Sequence, residues 1–146
     1  MRIRKFELSD LPQSLAIIQK YANWDVTLTE ADLTRFSSSN PELFLVAEHE
    51  DQILGLVYAE DSRLPDEALG RRGASKAASI EILAVPVEHR KKGIGTKLMS
   101  SILEILKNHH VDYVSLSVPI QETAAKNLYE KLGFETRALF MSKRLK

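Results

Sequence analysis

Cysteine is absent from all 146 residues, which excludes disulfides, thiolate metal sites and cysteine nucleophiles. Net charge is absent as well, because twenty Lys and Arg balance twenty Asp and Glu. Such a chain has no bulk field to draw it to DNA, RNA or an anionic membrane. No apolar run approaches the roughly 20 residues that a membrane span needs. Residues 1–9 alternate charged and apolar side chains and lack the apolar centre of a signal peptide. A cytoplasmic protein without nucleic-acid or membrane partners is the expectation. Glycine and proline are few, at six and five, so each cluster of them marks a turn.

What is present has a globular balance: 44% apolar and 27% charged residues. That length and balance suit one domain spanning 1–146. Residues 3–8 read as a first strand. Ser9 and Asp10 then offer capping chemistry before a helix over 10–22, whose Leu15, Ile18 and Ala22 recur at helical spacing. A second helix begins at the N-cap Thr29 and fades at Ser37. Two apolar runs, 43–47 and 53–59, flank His49–Gln52 as a hairpin. Residues 60–76 have no clear period and read as a long loop, a length that is more often functional than inert.

A β-type run follows at 79–85, then a basic turn. From Gly93 a helix carries Ile94, Leu98, Ile102 and Ile105 on one stripe. Residues 112–118 alternate as a strand, and 122–132 read as a helix closed by Gly133. The apolar tail 134–145 is expected to supply a last strand. The order β-α-α-β-β-β-α-β-α-β predicts an α/β domain with a mixed sheet.

The segment with most chemical content is Pro86 to Gly95. A strand ends, Arg90, Lys91 and Lys92 follow, and Gly93 and Gly95 open an amphipathic helix. Glycines remove the Cβ atoms that hold an anion off the backbone. The helix start adds unpaired N–H groups and the positive end of a dipole, which together suit a diphosphate. The dinucleotide fingerprint fails because Leu98 stands where its third glycine belongs, and no P-loop pattern occurs.

Arg90-Lys91-Lys92-Gly93-Ile94-Gly95 resembles the R/Q-x-x-G-x-G/A signature of the GNAT N-acetyltransferases, and Ile82-Leu83-Ala84-Val85 resembles the strand before it. Asn127-Leu128-Tyr129-Glu130-Lys131-Leu132-Gly133-Phe134 resembles the family's LYEKLGF segment. The likeness is firm over 79–134. Two departures occur: Pro86 follows Val85 at once, and Glu122 stands where the family often has Asn.

The resemblance implies a GNAT fold, with a mixed, mostly antiparallel sheet of six or seven strands and about four helices. It implies acetyl-coenzyme A as co-substrate, no metal, and direct attack by an amine. The expected acceptor is a primary amine of a small molecule; the alternatives are a protein lysine or N-terminal amine, or a non-catalytic coenzyme A-binding domain. Backbone groups of Leu83, Ala84 and Val85 would hold the pantetheine arm. Gly93, Ile94, Gly95 and Thr96 would donate N–H groups to the diphosphate, and Arg90, Lys91 and Lys92 would help recruit it. Asn127 is a further cofactor candidate, and a homodimer is consistent with the family.

The chemistry can be matched to side chains. A lysine-like amine is neutral in only about 1 part in 2500 at pH 7, so a base is wanted. Glu81, expected to share a strand face with Leu83 and Val85, is the candidate. Tyr129, whose family counterpart is the usual general acid, would protonate the departing thiolate. Tyr21 and Trp24, after the first helix, are candidates for an acceptor wall. The adjacent His109 and His110 point apart on a helix and do not suggest a metal site.

Overall fold

The computed structural model describes residues 1–22 and 25–146. In chain order the elements are β1 (Arg2–Lys5), α1 (Leu11–Tyr21), α2 (Glu30–Ser39), β2 (Phe44–His49), β3 (Gln52–Asp61), α3 (Asp66–Arg71), β4 (Ala77–Ala84), α4 (Ile94–Asn108), β5 (Tyr113–Leu116) and α5 (Thr123–Lys131). The strands form one sheet in the order β1-β2-β3-β4-β5, antiparallel except for the parallel pair β4–β5.

The central strand β3 is buried on both faces because its sequence is apolar at consecutive positions, from Leu56 to Ala59. On one face Phe6, Phe36, Phe44 and Tyr58 stack with Ile18 and Leu33 beneath α1 and α2. On the other, Leu45, Val57 and Ile80 pack against Leu98, Met99 and Ile102 of α4. Gly55 lets β3 approach both neighbours: a Cβ there would lie 3.1 Å from Ala84 O and 3.2 Å from a Leu98 methyl. Helix α2 begins at Thr29 with a complete capping box, Asp32 returning a bond to the Thr29 N–H.

Four expectations are corrected. The sheet has five strands, not six or seven, and five α-helices rather than four flank the strands among the described residues. The tail beyond Phe134 forms no strand: Leu139, Phe140, Met141 and Leu145 are 70–94% exposed. The 60–76 segment is not a structureless loop, because Leu69 is buried and pins the short α3 to the body. A six-residue helix shows too little period to be read from sequence. The first strand is shorter than 3–8, since Phe6 turns inward to stack on Phe44 and a 3-10 turn starts at Leu8. Among the described residues no helix is long and apolar enough to cross a membrane.

The start of the chain is tied down by Arg4, which donates to both carboxylate oxygens of Asp10, at 2.7 and 2.8 Å, and to Glu48. Burial alone would raise the Asp10 pKa, but the bonds from Arg4 and from the Glu7 N–H outweigh it and hold the carboxyl below its ordinary value. A depressed carboxylate stabilises the fold above its unfolded pKa, near 3.9, and that stabilisation fades as pH falls through the folded value. Asp10→Asn is therefore expected to cost about 2–3 kcal/mol at pH 7. It should also flatten the loss of stability below about pH 4, as urea titrations at both pH values would measure.

Candidate active site

The basic turn folds as its glycines require. Gly93 sits at φ +79°, the left-handed region, directly before α4. Lys91 is also left-handed at φ +63°, so the backbone reverses tightly between the 3-10 turn at Val87–His89 and the helix. The first N–H to bond back along α4 is that of Lys97, to Gly93 O at 3.0 Å. The N–H groups of Gly93, Ile94, Gly95 and Thr96 thus have no intrahelical acceptor, and no side chain caps the helix. Beyond its chain neighbours nothing lies within 4 Å of where a Gly93 Cβ would stand, so the space beside this glycine is open. Arg90, Lys91 and Lys92 are exposed around it. Unpaired donors, a helix dipole and three cations fit a diphosphate. Gly95 has a different reason: its Cβ would come within 3.2 Å of the Leu128 side chain, so it lets α5 pack on α4.

Beside this turn the sheet divides. Strands β4 and β5 pair only from Ala77–Tyr113 to Ile80–Leu116. Beyond that point β4 continues through Leu83 to Ala84 while β5 has ended. The edge of β4 at 81–84 therefore offers main-chain groups with no strand partner on that side. The position suits Leu83, Ala84 and Val85 as holders of an extended amide-bearing arm. Val85 O accepts a bond from Arg90 Nε at 2.9 Å.

Glu81 sits where the division begins, in a conformation that strand alternation does not predict. Tyr58 faces Ile82 and Ala59 faces Ile80 across β3–β4, so Glu81 is the unpaired residue of a β-bulge. Before the bulge Ala78 and Ile80 point to the α4 side; after it Ile82 and Ala84 point to the α1–α2 side. The expected common face of Glu81 with Leu83 and Val85 is corrected accordingly. Leu83 and Val85 pack toward α4, while the exposed Glu81 lines two cavities. The larger, about 410 Å³, is bordered by Ser79, Ser115 and Arg63; the smaller, about 280 Å³, by Leu28, Phe36 and Ile82.

Glu60 lines both cavities too, and sequence reasoning missed it. Its carboxylate accepts from the Tyr58 hydroxyl at 3.1 Å, which accepts from Asn40 Nδ2 at 3.0 Å. Burial, first, and then the charge of Glu60 push the Tyr58 pKa up to about 12, so the phenol keeps its proton and orients Glu60. Only the cross-strand register brings Glu60 and Glu81 to one place.

Tyr129 lies half-buried on α5, its ring packed edge-on to Phe134 at 5.9 Å. Its hydroxyl makes no hydrogen bond among the described residues. Burial, with a smaller push from Glu122, raises its pKa to about 12. Tyr129 is thus protonated throughout the neutral range and has a donor to spare. Asn127 is exposed on the same helix. Tyr21, at the end of α1, reaches the basic turn: its hydroxyl lies 3.4 Å from Glu88, and the Arg90 guanidinium lies 5.4 Å from its ring centre. Trp24 lies outside the described residues. His109 pairs with Glu42 at 3.0 Å, and no three metal-ligating side chains converge among the described residues.

Known proteins resemble this chain in sequence and in fold. N-alpha-acetyltransferase 30 of Schizosaccharomyces pombe is 32% identical over 94 residues, which cover 64% of this chain and 58% of the relative. An N-alpha-acetyltransferase of Sulfurisphaera tokodaii is 26% identical over 92% of this chain and 80% of its own length. The crystal structure of Ard1 from Thermoplasma volcanium superposes with a TM-score of 0.78 at 25% identity, covering 94% of this chain and 84% of that one. The chain spans about half the length of the first curated relatives it matches. The model of the Acetyltransferase (GNAT) family matches residues 10–134, from the end of the first turn through the Tyr129 helix. On the left-handed glycine turn, the parted strands and this match, the chain belongs to the GNAT acetyltransferase family.

Proposed function

We propose that the protein transfers the acetyl group of acetyl-coenzyme A to the α-amine of a peptide or protein N-terminus, by direct attack of the amine on the thioester. The observation that carries the transfer itself is the row of unpaired N–H groups at 93–96, behind three exposed cations and beside the free edge of β4. There Gly93, Ile94, Gly95 and Thr96 hold the diphosphate, Arg90, Lys91 and Lys92 recruit it, and Leu83 to Val85 align the pantetheine amides. Asn127, exposed on the same helix as Tyr129, is a further cofactor contact in this reading. Donors fixed before reaction stabilise the charge that develops on the thioester oxygen.

The choice of amine follows from the acidic side. Glu60 and Glu81 attract an ammonium group, and Glu81 is exposed while Glu60 beside it is half-buried. An α-amine with pKa near 8 is already neutral in about one molecule in ten at pH 7, whereas a lysine amine is about 250-fold scarcer in that form. A weak, solvated carboxylate acting directly or through water therefore suffices for the former. Relatives named as N-alpha-acetyltransferases support this reading over a small-molecule amine. Tyr129 then faces the departing thiolate. With a pKa of about 12, full proton transfer to a thiolate whose conjugate acid lies near 8.5 would be uphill by about 5 kcal/mol. Tyr129 acts mainly as a strong hydrogen-bond donor until solvent protonates the thiolate.

Thiol release from acetyl-coenzyme A, measured over peptides with free and blocked N-termini, lysine-containing peptides and small amines, tests the proposal. Turnover confined to free N-termini is expected. Turnover only with small amines would overturn the choice of acceptor, and coenzyme binding without any turnover would favour a regulatory domain. Glu60→Gln and Glu81→Gln are each expected to raise the KM for the peptide about tenfold while leaving the KM for acetyl-coenzyme A unchanged. Initial rates at varied concentrations of both substrates would show it.

A further inference from the structure

Two carboxylates line the cavities, and the fold holds them differently. Glu81 is exposed and is the unpaired residue of the bulge. The Glu60 side chain is 19% exposed, and its Oε2 accepts from the Tyr58 hydroxyl at 3.1 Å. Its Oε1 has Arg63 Nη2 at 3.9 Å, beyond hydrogen-bond distance, on a side chain that is 90% exposed. A carboxylate set into a cavity wall gives up hydration and needs donors in return. One oxygen of Glu60 has its donor; the other has none among the described residues.

The donor to Glu60 is itself fixed from several sides. Tyr58 is fully buried, its ring stacked on Phe36 at 4.1 Å and tilted against Phe44 at 5.4 Å. Asn40, the C-cap of α2, donates its Nδ2–H to the phenol oxygen at 3.0 Å. A phenol has one proton, and a buried phenol that accepts from an amide must still place that proton on an acceptor. Here the acceptor is Glu60, so the bonds run from Asn40 through Tyr58 to Glu60 and leave Oε1 with open lone pairs. Phe36 also lines the smaller cavity, so the helix that borders this cavity steadies the phenol.

On the reading that the acceptor is an α-amine, we infer that Glu60 takes the proton of the attacking amine, and that Tyr58 and Asn40 are positioning residues that hold its carboxylate for this step. The α-ammonium passes one proton to Oε1, and Glu60 later releases it to solvent. The freed nitrogen pair forms the C–N bond to the thioester carbonyl carbon, and the C–S bond breaks with its pair on sulfur. Solvent takes the second nitrogen proton and protonates the thiolate. The balance is one amide, one thiol and one proton released. Glu81 keeps the outer role of drawing the ammonium in.

Turnover at two pH values tests this. An α-amine with pKa near 8 is neutral in about one molecule in ten at pH 7 and in about nine in ten at pH 9. Without a base, turnover follows that fraction. Beyond its rise in KM, Glu60→Gln is therefore expected to lower kcat about tenfold at pH 7 but less than about twofold at pH 9. Tyr58, with its pKa pushed up to about 12, keeps its proton at both. Tyr58→Phe removes only the phenol oxygen, and Asn40→Asp offers the phenol proton a competing carboxylate. Each is expected to lose about threefold in kcat at pH 7, with the same relief at pH 9. Rates at saturating peptide and acetyl-coenzyme A, with circular dichroism to confirm the fold of each variant, measure this. A purely structural role gives equal losses at both pH values, and that result overturns the proposal. So does an unchanged kcat in Glu60→Gln, or relief at pH 9 found in Glu81→Gln in its place. A wild type that acetylates no free N-terminus overturns the acceptor reading, and this assignment with it.

Discussion

Tyr129→Phe is expected to lower kcat about 100-fold, equivalent to about 2.7 kcal/mol of transition-state stabilisation, with the dissociation constant for acetyl-coenzyme A changed by less than about threefold. The substitution is clean because the Tyr129 hydroxyl bonds to nothing among the described residues, while its ring packs against Phe134. Removing only the oxygen therefore leaves stability within about 0.5 kcal/mol. A loss of rate would then report on the leaving group and not on the fold. The pH profile adds a second check. With its pKa near 12, Tyr129 contributes no inflection below about pH 10, so any basic limb in the wild type there belongs to another group. Stopped-flow acetylation with a saturating peptide would measure both, and an unchanged kcat would remove Tyr129 from the reaction.

The second large effect is expected at Gly93. At φ +79° a β-branched side chain is strongly disfavoured, so Gly93→Val should move the backbone that aims the N–H groups of 93–96. We expect the dissociation constant for coenzyme A to rise at least about 30-fold, about 2 kcal/mol, by calorimetry. The fold should lose about 1–2 kcal/mol, a fall in Tm of about 2–8 °C for a chain of this size. Gly95→Ala provides the contrast. Its new Cβ would press on Leu128 at 3.2 Å, so its damage comes through the packing of α5 on α4. If Gly93→Val binds coenzyme A as tightly as the wild type, the main-chain cradle is not the binding element.

How far the sequence could be read varied with the range of the interactions involved. The Gly93–Gly95 turn, the α4 stripe and Tyr129 depend on residues a few positions apart, whose preferences are local, and they stand where the pattern put them. The Glu81 bulge does not depend on β4 alone. It arises from the register against β3, and nothing within 79–85 marks which residue loses its partner. Glu60 was passed over because it lies at the end of an apolar run, and it joins Glu81 only through that same cross-strand pairing. The composition of the tail reads as a strand, yet the segment pairs with no strand of the sheet and stays exposed.

Periodicity, glycine placement and charge thus determined the α/β class and the glycine-opened helix start, while the family resemblance marked Tyr129, because helix caps, amphipathic stripes and short motifs are written in nearby residues. Tertiary structure decided what lies between them: where β4 and β5 part, which two carboxylates meet across the sheet, and that the last apolar segment stays outside its own fold. Those outcomes depend on contacts between residues far apart in the chain, whose free energy exists only once the strands have found their register.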